Sequence, residues 1–104
     1  QPHLFSRTKF FCEQFAEVLA RADRAIVTDI YPSREEPMPG VSSGLIVDAA
    51  RAQGAQNVQL INDMFSVPGL IAGELQPDDL VLILGAGNIN QLAGPLLQEI
   101  ARRP

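Results

Sequence analysis

Three short apolar runs rich in β-branched residues constrain the fold of this 104-residue chain most strongly. They occupy residues 25–30, 58–61 and 80–84. The first and third runs are almost continuously apolar, which is typical of parallel strands that are covered on both faces. Because helical patterns separate the three runs, the alternation predicts a parallel α/β sheet with right-handed crossovers.

The segments around these runs have the 3.6-residue periodicity of amphipathic helices. The first predicted helix should bury the apolar face that consists of Phe11, Phe15, Val18, Leu19 and Ala22. Ser6 or Thr8 is expected to cap it, because a hydroxyl can accept a hydrogen bond from an unpaired N–H group of the first turn.

Three further helices are predicted after the first strand. The Ser-Ser pair at 42–43 starts the second helix and Gly54 ends it. Residues 66–68 start a short third helix, with proline in its first turn. Asn88 should cap the last helix, and the Gly-Pro pair at 94–95 should kink or restart it.

The chain begins on a loop-like segment and enters a helix directly. In this alternation a helix should follow a strand, so we expect a strand to precede residue 1 in a longer polypeptide. The expected fold is a Rossmann-like parallel sheet with helices on both faces that lacks its first strand. Residues 1–104 are expected to form one domain, truncated at its N-terminal side.

Composition narrows the possible functions. The net charge is −4 and the cations are scattered, which argues against nucleic-acid binding. No apolar run approaches the roughly 20 residues of a membrane span. A single cysteine, Cys12, fits a reducing, cytoplasmic compartment and is interpreted as part of the first helix's core. With one histidine and one cysteine, neither a metal site nor a Ser/His/Asp arrangement is expected.

Polar residues concentrate where the predicted strands end. Ligands of open α/β sheets bind at the carboxyl ends of the strands. Four segments should meet at that edge: residues 1–7, 29–39, 62–65 and 85–88.

His3 and Arg7 are the first candidate pair at this edge. A guanidinium can fork onto a carboxylate, and a nearby helix N-terminus adds partial positive charge, so the pair could bind an anion. The alternative is a surface histidine beside a solvated arginine. Spacing alone leaves both interpretations open.

Gly85, Ala86, Gly87 and Asn88 form a second candidate, between a predicted strand and a helix. Two glycines allow a ligand to approach the backbone closely, and N–H groups at a helix start favour an anion. The dinucleotide pattern G-x-G-x-x-G is not met, because Asn90 occupies its last position. A simple tight turn is equally compatible with these residues.

Other polar residues at the edge are less specific. Asp29 and Tyr31 leave the first strand there, and Asp29 could hold a ribose or a backbone turn. The Arg-Glu-Glu run at 34–36 is expected to be a solvated loop, and Asp63 is expected to form a turn.

Residues 1–8, with the sequence Gln-Pro-His-Leu-Phe-Ser-Arg-Thr, resemble a known signature. It is the Gln-Pro-His-x-aromatic-Ser/Thr-Arg-Thr run of the UDP-N-acetylmuramate–L-alanine ligases, which are members of the Mur ligase family. Four further runs resemble the same family in the same order, and together they extend over nearly the whole chain. These runs are residues 15–19, 29–37, 40–43 and 85–89.

The resemblance implies a place in an enzyme of peptidoglycan precursor synthesis in the bacterial cytoplasm. That enzyme uses ATP to phosphorylate the lactyl carboxylate of UDP-N-acetylmuramate, and the amine of L-alanine then attacks the acyl phosphate. Its partners in the same polypeptide are a UDP-binding domain and a central ATPase domain, which holds ATP and magnesium. The C-terminal domain by itself is expected to bind no cofactor and to be inactive.

The resemblance also implies roles for individual residues. His3 and Arg7 match the segment that holds the incoming alanine, with Arg7 on its carboxylate. The turn at 85–88 matches a loop that faces the reacting centre. From their place at the strand edge, and not from the resemblance, Asp29 and Tyr31 are expected on the nucleotide side. No catalytic residue and no metal ligand is expected within this chain. Leu4 stands where many members have arginine, so one possible carboxylate contact is missing.

A second hypothesis remains beside the ligase domain. The chain could be a non-enzymatic α/β module that binds a phosphate-bearing ligand through residues 85–88. The two hypotheses differ in what they require upstream, because a ligase needs a nucleotide-contacting linker and a P-loop before residue 1.

Overall fold

The computed structural model describes residues 1–103, in which helices alternate with short parallel strands. The elements are α1 (Phe5–Leu19), β1 (Ala25–Val27), α2 (Gly44–Ala52), β2 (Val58–Leu60), α3 (Val67–Ala72) and α4 (Ala93–Ala101). One 3₁₀ turn, Met64–Ser66, leads into α3, and another, Ile89–Leu92, leads into α4. The predicted α/β alternation is therefore confirmed. No helix among these residues is long and apolar enough to cross a membrane.

The sheet is built around β1. Strands β1 and β2 are parallel, with Ala25 opposite Val58. The pairing continues beyond both strands, because the Ile61 N–H donates to the Val27 carbonyl oxygen (2.9 Å) and the Asp29 N–H donates to that of Asn62 (3.1 Å). Both strands are nevertheless shorter than the apolar runs that predicted them.

Residues 1–4 lie beside the extension of β1. A parallel bridge joins His3 to Tyr31. The Tyr31 N–H donates to the Pro2 carbonyl oxygen (2.8 Å), and the Leu4 N–H donates to the Tyr31 carbonyl oxygen (2.9 Å). This pairing brings the first residues of the chain to the carboxyl end of β1.

Helices cover both faces of this sheet, as predicted. Alternate residues of a strand point to opposite faces. Ala25 and Val27 belong to a core that α1 and α2 cover, whereas Ile26 packs against a second core beneath α3 and the turn before α4. Ile46, which is 2% exposed, is the largest side chain buried in the first core.

The predicted third strand is not formed, and this part of the prediction is wrong. Residues 80–84 are assigned to no strand. Leu80, Leu82 and Leu84 are 82%, 68% and 64% exposed, whereas Ile83 packs against the second core. A strand requires a hydrogen-bonded neighbour, and no other strand lies beside this segment among the described residues.

The predicted buried face of α1 is wrong except for Leu19, which packs against the core. Phe11, Phe15 and Val18 are exposed, whereas Thr8 and Ala16 are fully buried. The face that contacts the core consists of Thr8, Cys12, Ala16 and Leu19. Small side chains on this face let α1 lie close to α2, and the large aromatic side chains remain outside. The interpretation of Cys12 as a partly buried core residue is confirmed.

The helix boundaries agree with the sequence better than the caps do. Helix α2 begins directly after the Ser-Ser pair at 42–43 and ends before Gly54, whose φ of +90° suits glycine. The restart at 94–95 is confirmed, because the 3₁₀ turn becomes α4 at Ala93. Asn88, however, makes no side-chain cap, since its carboxamide oxygen accepts a hydrogen bond from Gln1 instead.

Candidate functional site

Four segments meet at the carboxyl edge of the sheet, and residues 1–4 lie at their centre. On one side His3 bridges to Tyr31. On the other side the main-chain nitrogen of Gln1 donates to the Leu84 carbonyl oxygen (2.9 Å). Residues 1–4 therefore connect the end of β1 to the segment that precedes the glycine turn, which we define as residues 85–88.

The Gln1 side chain holds the glycine turn in place. Its amide nitrogen Nε2 donates to Asn88 Oδ1 (2.7 Å), and its oxygen Oε1 accepts from the Ile89 N–H (3.2 Å). Nε2 also lies 3.7 Å from Met64 Sδ. Because Gln1 occupies the Ile89 N–H group, this donor at the start of the last helical segment is not available to a phosphate.

Glycine is required at position 87 by the Tyr31 ring. A Cβ atom at Gly87 would lie 2.4 Å from Tyr31 Cγ, far closer than two carbon atoms can approach. At Gly85 a Cβ atom would lie 2.7 Å from Ile89 Cγ2 and 3.2 Å from Gln1 Cβ. The glycines thus allow the turn to pack on its own chain, which agrees with a structural turn and does not favour the phosphate-binding module.

His3 is held between its neighbours. Its imidazole stacks on the Tyr31 ring with centroids 6.1 Å apart and an interplanar angle of 17°. The Nδ1 atom is buried and has no hydrogen-bond partner among the described residues. A buried polar atom without a partner costs free energy, so it is a plausible contact for a ligand or for an adjoining domain.

Helix α1 starts without a cap of its own. Leu4, the residue before its first turn, has a φ of +72° and a side chain that cannot accept a hydrogen bond. Glu35 caps the helix instead: Oε1 accepts from the N–H groups of Phe5 (2.5 Å) and Ser6 (3.1 Å), and Oε2 accepts from the Ser6 hydroxyl. The predicted caps at Ser6 and Thr8 are therefore wrong.

The charge of Glu35 is stabilised by these contacts. The hydrogen bond from the Ser6 hydroxyl lowers the pKa of the Glu35 carboxyl, and the two backbone N–H groups and the nearby His3 lower it further. The expectation of a fully solvated loop at 34–36 is thus wrong for Glu35, whereas Arg34 and Glu36 are exposed.

Arg7 lies in the first turn of α1, one helical turn after His3. Its side chain is exposed, and no carboxylate lies within ion-pair distance of it among residues 1–103. Lys9, two residues further along α1, lies over the Phe10 ring with Nζ 5.9 Å from the ring centroid. Arg34, in the segment that follows β1, is also exposed and without an ion pair among residues 1–103. Arg7 and Arg34 are therefore both free to meet an anion.

Asp29 lies in a recess that Gln1, Tyr31 and Asn88 also line. Asn62, Asp63 and Phe65 form its other side, and neither His3 nor Arg7 lines it. Asp63 accepts a hydrogen bond from the Phe65 N–H (3.0 Å), so its predicted role as a turn former is confirmed. Asp29 itself is exposed and makes no side-chain hydrogen bond among the described residues.

The structure brings together His3, Tyr31 and Gly87, and Arg7 follows His3 in the first turn of α1. Asp29 lies in the recess that Tyr31 also lines. Two residues of this arrangement, Gln1 and Glu35, were not singled out from the sequence. One feature of the sequence indicated a residue such as Glu35 indirectly: a helix that follows a leucine must obtain its capping acceptor elsewhere in the chain. No local pattern indicated the role of Gln1, because its contacts are with residues far away in the sequence.

Possible metal ligands are scattered over the part of the chain that the structure describes. No group of three or more His, Cys, Asp or Glu side chains that could hold a metal ion is found within residues 1–103.

A family profile described as "Mur ligase, glutamate ligase domain" matches residues 2–87. This match covers most of the chain and includes the segments that meet at the sheet edge. The observed fold, a parallel α/β sheet with helices on both faces, agrees with it. The chain belongs to the Mur ligase family, as a domain of this type.

Several curated proteins are similar over nearly the whole chain, and each is named UDP-N-acetylmuramate–L-alanine ligase. The protein of Streptomyces avermitilis is 47% identical over 99% of this chain, and that of Streptomyces coelicolor is 48% identical over 98%. The protein of Cutibacterium acnes is 48% identical over 93%. The chain spans only about a fifth of these relatives, 22%, 22% and 20% of their lengths.

Proposed function

We propose that this chain is the C-terminal domain of a cytoplasmic ligase that joins L-alanine to UDP-N-acetylmuramate in peptidoglycan precursor synthesis. The single observation that carries the proposal is the identity of 47–48% to relatives with that name over 93–99% of the chain. The free Arg7 guanidinium supports it, because an amino-acid substrate presents a carboxylate. The chain alone is expected to be inactive.

Arg7 is proposed to bind the alanine carboxylate. A guanidinium can make two parallel hydrogen bonds to a carboxylate, which fixes the orientation of the amino acid as well as its position. With the carboxylate held, the amine is left to face the activated carboxyl group of the acceptor. Leu4 carries no charge, so Arg7 is the residue of segment 1–7 that is proposed to bind the carboxylate.

His3 and the glycine turn are proposed to complete the amino-acid side of the site. The stacked imidazole is held in one orientation by Tyr31, and its buried Nδ1 has a free hydrogen-bonding position. The turn at 85–88 is held against Tyr31 and Gln1. Asp29 and Tyr31 line one recess. We propose that this recess lies on the side of the site that faces the nucleotide.

ATP and magnesium are proposed to bind outside this chain. The described residues offer no cluster for a metal ion, and the sequence has no Walker Gly-Lys-Ser/Thr. The proposed partners are therefore the UDP-binding and central ATPase domains of the same polypeptide. Closure of the domains would exclude water from the reacting groups.

A strand from the preceding part of the polypeptide is proposed to complete the sheet. Residues 1–4 pair with Tyr31 on one side and reach Leu84 on the other. Chain that enters through Gln1 would thus run between β1 and residues 80–84. This position would cover the apolar side chains that are exposed in the described residues, namely Leu80, Leu82 and Leu84.

The test of the function is Arg7→Ala in the full-length polypeptide, assayed for alanine-dependent phosphate release. Loss of a charge-assisted hydrogen bond to the substrate should cost about 1.5–3 kcal/mol in kcat/KM for L-alanine. The KM values for ATP and UDP-N-acetylmuramate should change little, because Arg7 is not proposed to contact either substrate.

Arg21→Ala is the matched control, since Arg21 is also exposed and follows the last turn of the same helix. It should leave all three KM values unchanged. An equal effect of Arg7→Ala on the three substrates would remove Arg7 from the alanine site, and a full-length protein with no alanine-dependent turnover would refute the function.

A further inference from the structure

The first turn of α1 has to obtain hydrogen-bond acceptors from another part of the chain. The early N–H groups of a helix have no partner within it. Leu4 cannot supply one, and no side chain of α1 itself acts as the cap. The first turn carries Arg7 and directly follows His3. The acceptor that holds this turn therefore also sets where both proposed ligand-binding residues lie.

Glu35 supplies that acceptor from 30 residues further along the chain. The turn that carries it closes on itself, because the Glu35 N–H donates to the Pro32 carbonyl oxygen (2.9 Å). Ser33 within this turn has a φ of +56°, a conformation that non-glycine residues rarely adopt. The turn follows Tyr31, which is bridged to His3, so Glu35 is brought directly above the start of α1.

The Glu35 carboxylate uses both of its oxygens on this turn. Oε1 accepts from the Phe5 and Ser6 N–H groups, and Oε2 accepts from the Ser6 hydroxyl. A carboxylate at this end of a helix also interacts favourably with the helix dipole. Since the Phe5 and Ser6 N–H groups are already bonded, these two donors are not available to a substrate anion at this edge.

We propose that Glu35 is a positioning residue of the amino-acid site, which holds the first turn of α1 against the Tyr31 turn and thereby fixes Arg7 relative to His3. The proposal rests on the proposed function of Arg7. The role depends on the hydrogen bonds that the Glu35 oxygens accept from Phe5 and Ser6.

The test is Glu35→Ala in the full-length polypeptide, with KM for L-alanine, KM for ATP and kcat measured separately. Misplacement of a binding group by a fraction of an ångström should raise KM for L-alanine at least about tenfold. The KM for ATP and the kcat at saturating alanine should stay within about threefold of the unchanged protein, because the reacting groups are not altered.

Two further variants separate positioning from a general loss of structure. Glu35→Gln keeps an oxygen that can accept from the Phe5 and Ser6 N–H groups, so it should restore KM for L-alanine to within about threefold. Glu36→Ala removes the same charge from the next residue, which is exposed. It should leave every parameter unchanged. If Glu35→Ala does not fold, Ser6→Ala takes its place and Glu35→Gln remains the comparison. Ser6→Ala should raise KM for L-alanine by an intermediate factor.

Arg7→Ala, measured beside these variants, distinguishes the two proposals. If Arg7→Ala raises KM for L-alanine and Glu35→Ala does not, the positioning role is refuted while the proposed function stands. If Arg7→Ala has no effect on that KM, the proposed site itself is refuted. A loss that is equal for all substrates in Glu35→Ala would show that Glu35 only supports the fold.

Discussion

Two apolar segments flank residues 1–4, and they differ in what lies beside them. β1 (Ala25–Val27) pairs with β2 along one edge and is covered by helices on both faces. Residues 80–84 have a similar apolar sequence but no strand beside them among the described residues, and all their side chains except that of Ile83 are exposed. The comparison shows that an apolar run becomes a strand only where a neighbour satisfies its backbone.

The core that covers β1 should be more sensitive to mutation than residues 80–84. Ile46→Ala removes a side chain that is 2% exposed in the core beneath α1 and α2. The cavity and the lost burial should lower the free energy of unfolding by about 2–5 kcal/mol. Denaturant unfolding of this chain measures the change as a shift of the midpoint.

Ile100→Ala is the matched control for Ile46→Ala, since Ile100 is 37% exposed at the end of α4. Its loss should be clearly smaller, because the site is partly solvated before the change. Equal losses for the two variants would mean that the core beneath α1 and α2 does not dominate the stability of the chain.

The contact between Tyr31 and the glycine turn connects the two segments, and a change there should have an intermediate effect on the free energy of unfolding. Gly87→Ala would place a Cβ atom 2.4 Å from the Tyr31 ring, so the ring or the turn must move. This overpacking should cost about 1–3 kcal/mol in unfolding free energy, measured in the same way.

Gly69→Ala is the control for the junction, because nothing lies within 4 Å of a Cβ atom at this position in α3. It should be neutral or stabilise the helix by up to about 1 kcal/mol, since alanine has the higher helix propensity. A neutral Gly87→Ala would contradict the contact between Tyr31 and the glycine turn.

A substitution within residues 80–84 should have the smallest effect on the free energy of unfolding of this chain. Leu82 is 68% exposed, so Leu82→Ala should change the free energy of unfolding by no more than about 0.5 kcal/mol. In a longer polypeptide that contains the proposed preceding strand, the same substitution should cost about 2 kcal/mol or more, because Leu82 would then be covered. Identical values in the two proteins would refute the proposed strand between β1 and residues 80–84.

Local sequence patterns predicted much of the fold. The ends of α2 could be predicted, because a serine pair and a glycine with positive φ act within a few residues of the helix. The restart before α4 could be predicted for the same reason, since proline removes a donor locally. The buried face of α1 could not, because two apolar faces compete along that helix and packing against α2 selected the one with small side chains.

The candidate site was predicted in part. His3, Arg7, Tyr31 and the glycine turn were expected at one edge, since the carboxyl ends of parallel strands meet there. Glu35 was not expected to take part, because its run of charged residues is typical of a solvated loop. Only the pairing of His3 with Tyr31 brings it to the start of α1.

The sequence by itself determined the α/β alternation, the family resemblance of residues 1–8, the two ends of α2 and the restart before α4. These features depend on neighbours within one or two helical turns. The tertiary structure alone decided which face of α1 is buried, which carboxylate caps it and which apolar run becomes a strand. Each of these depends on hydrogen bonds or packing between residues far apart in sequence, and a local pattern carries no information about such partners.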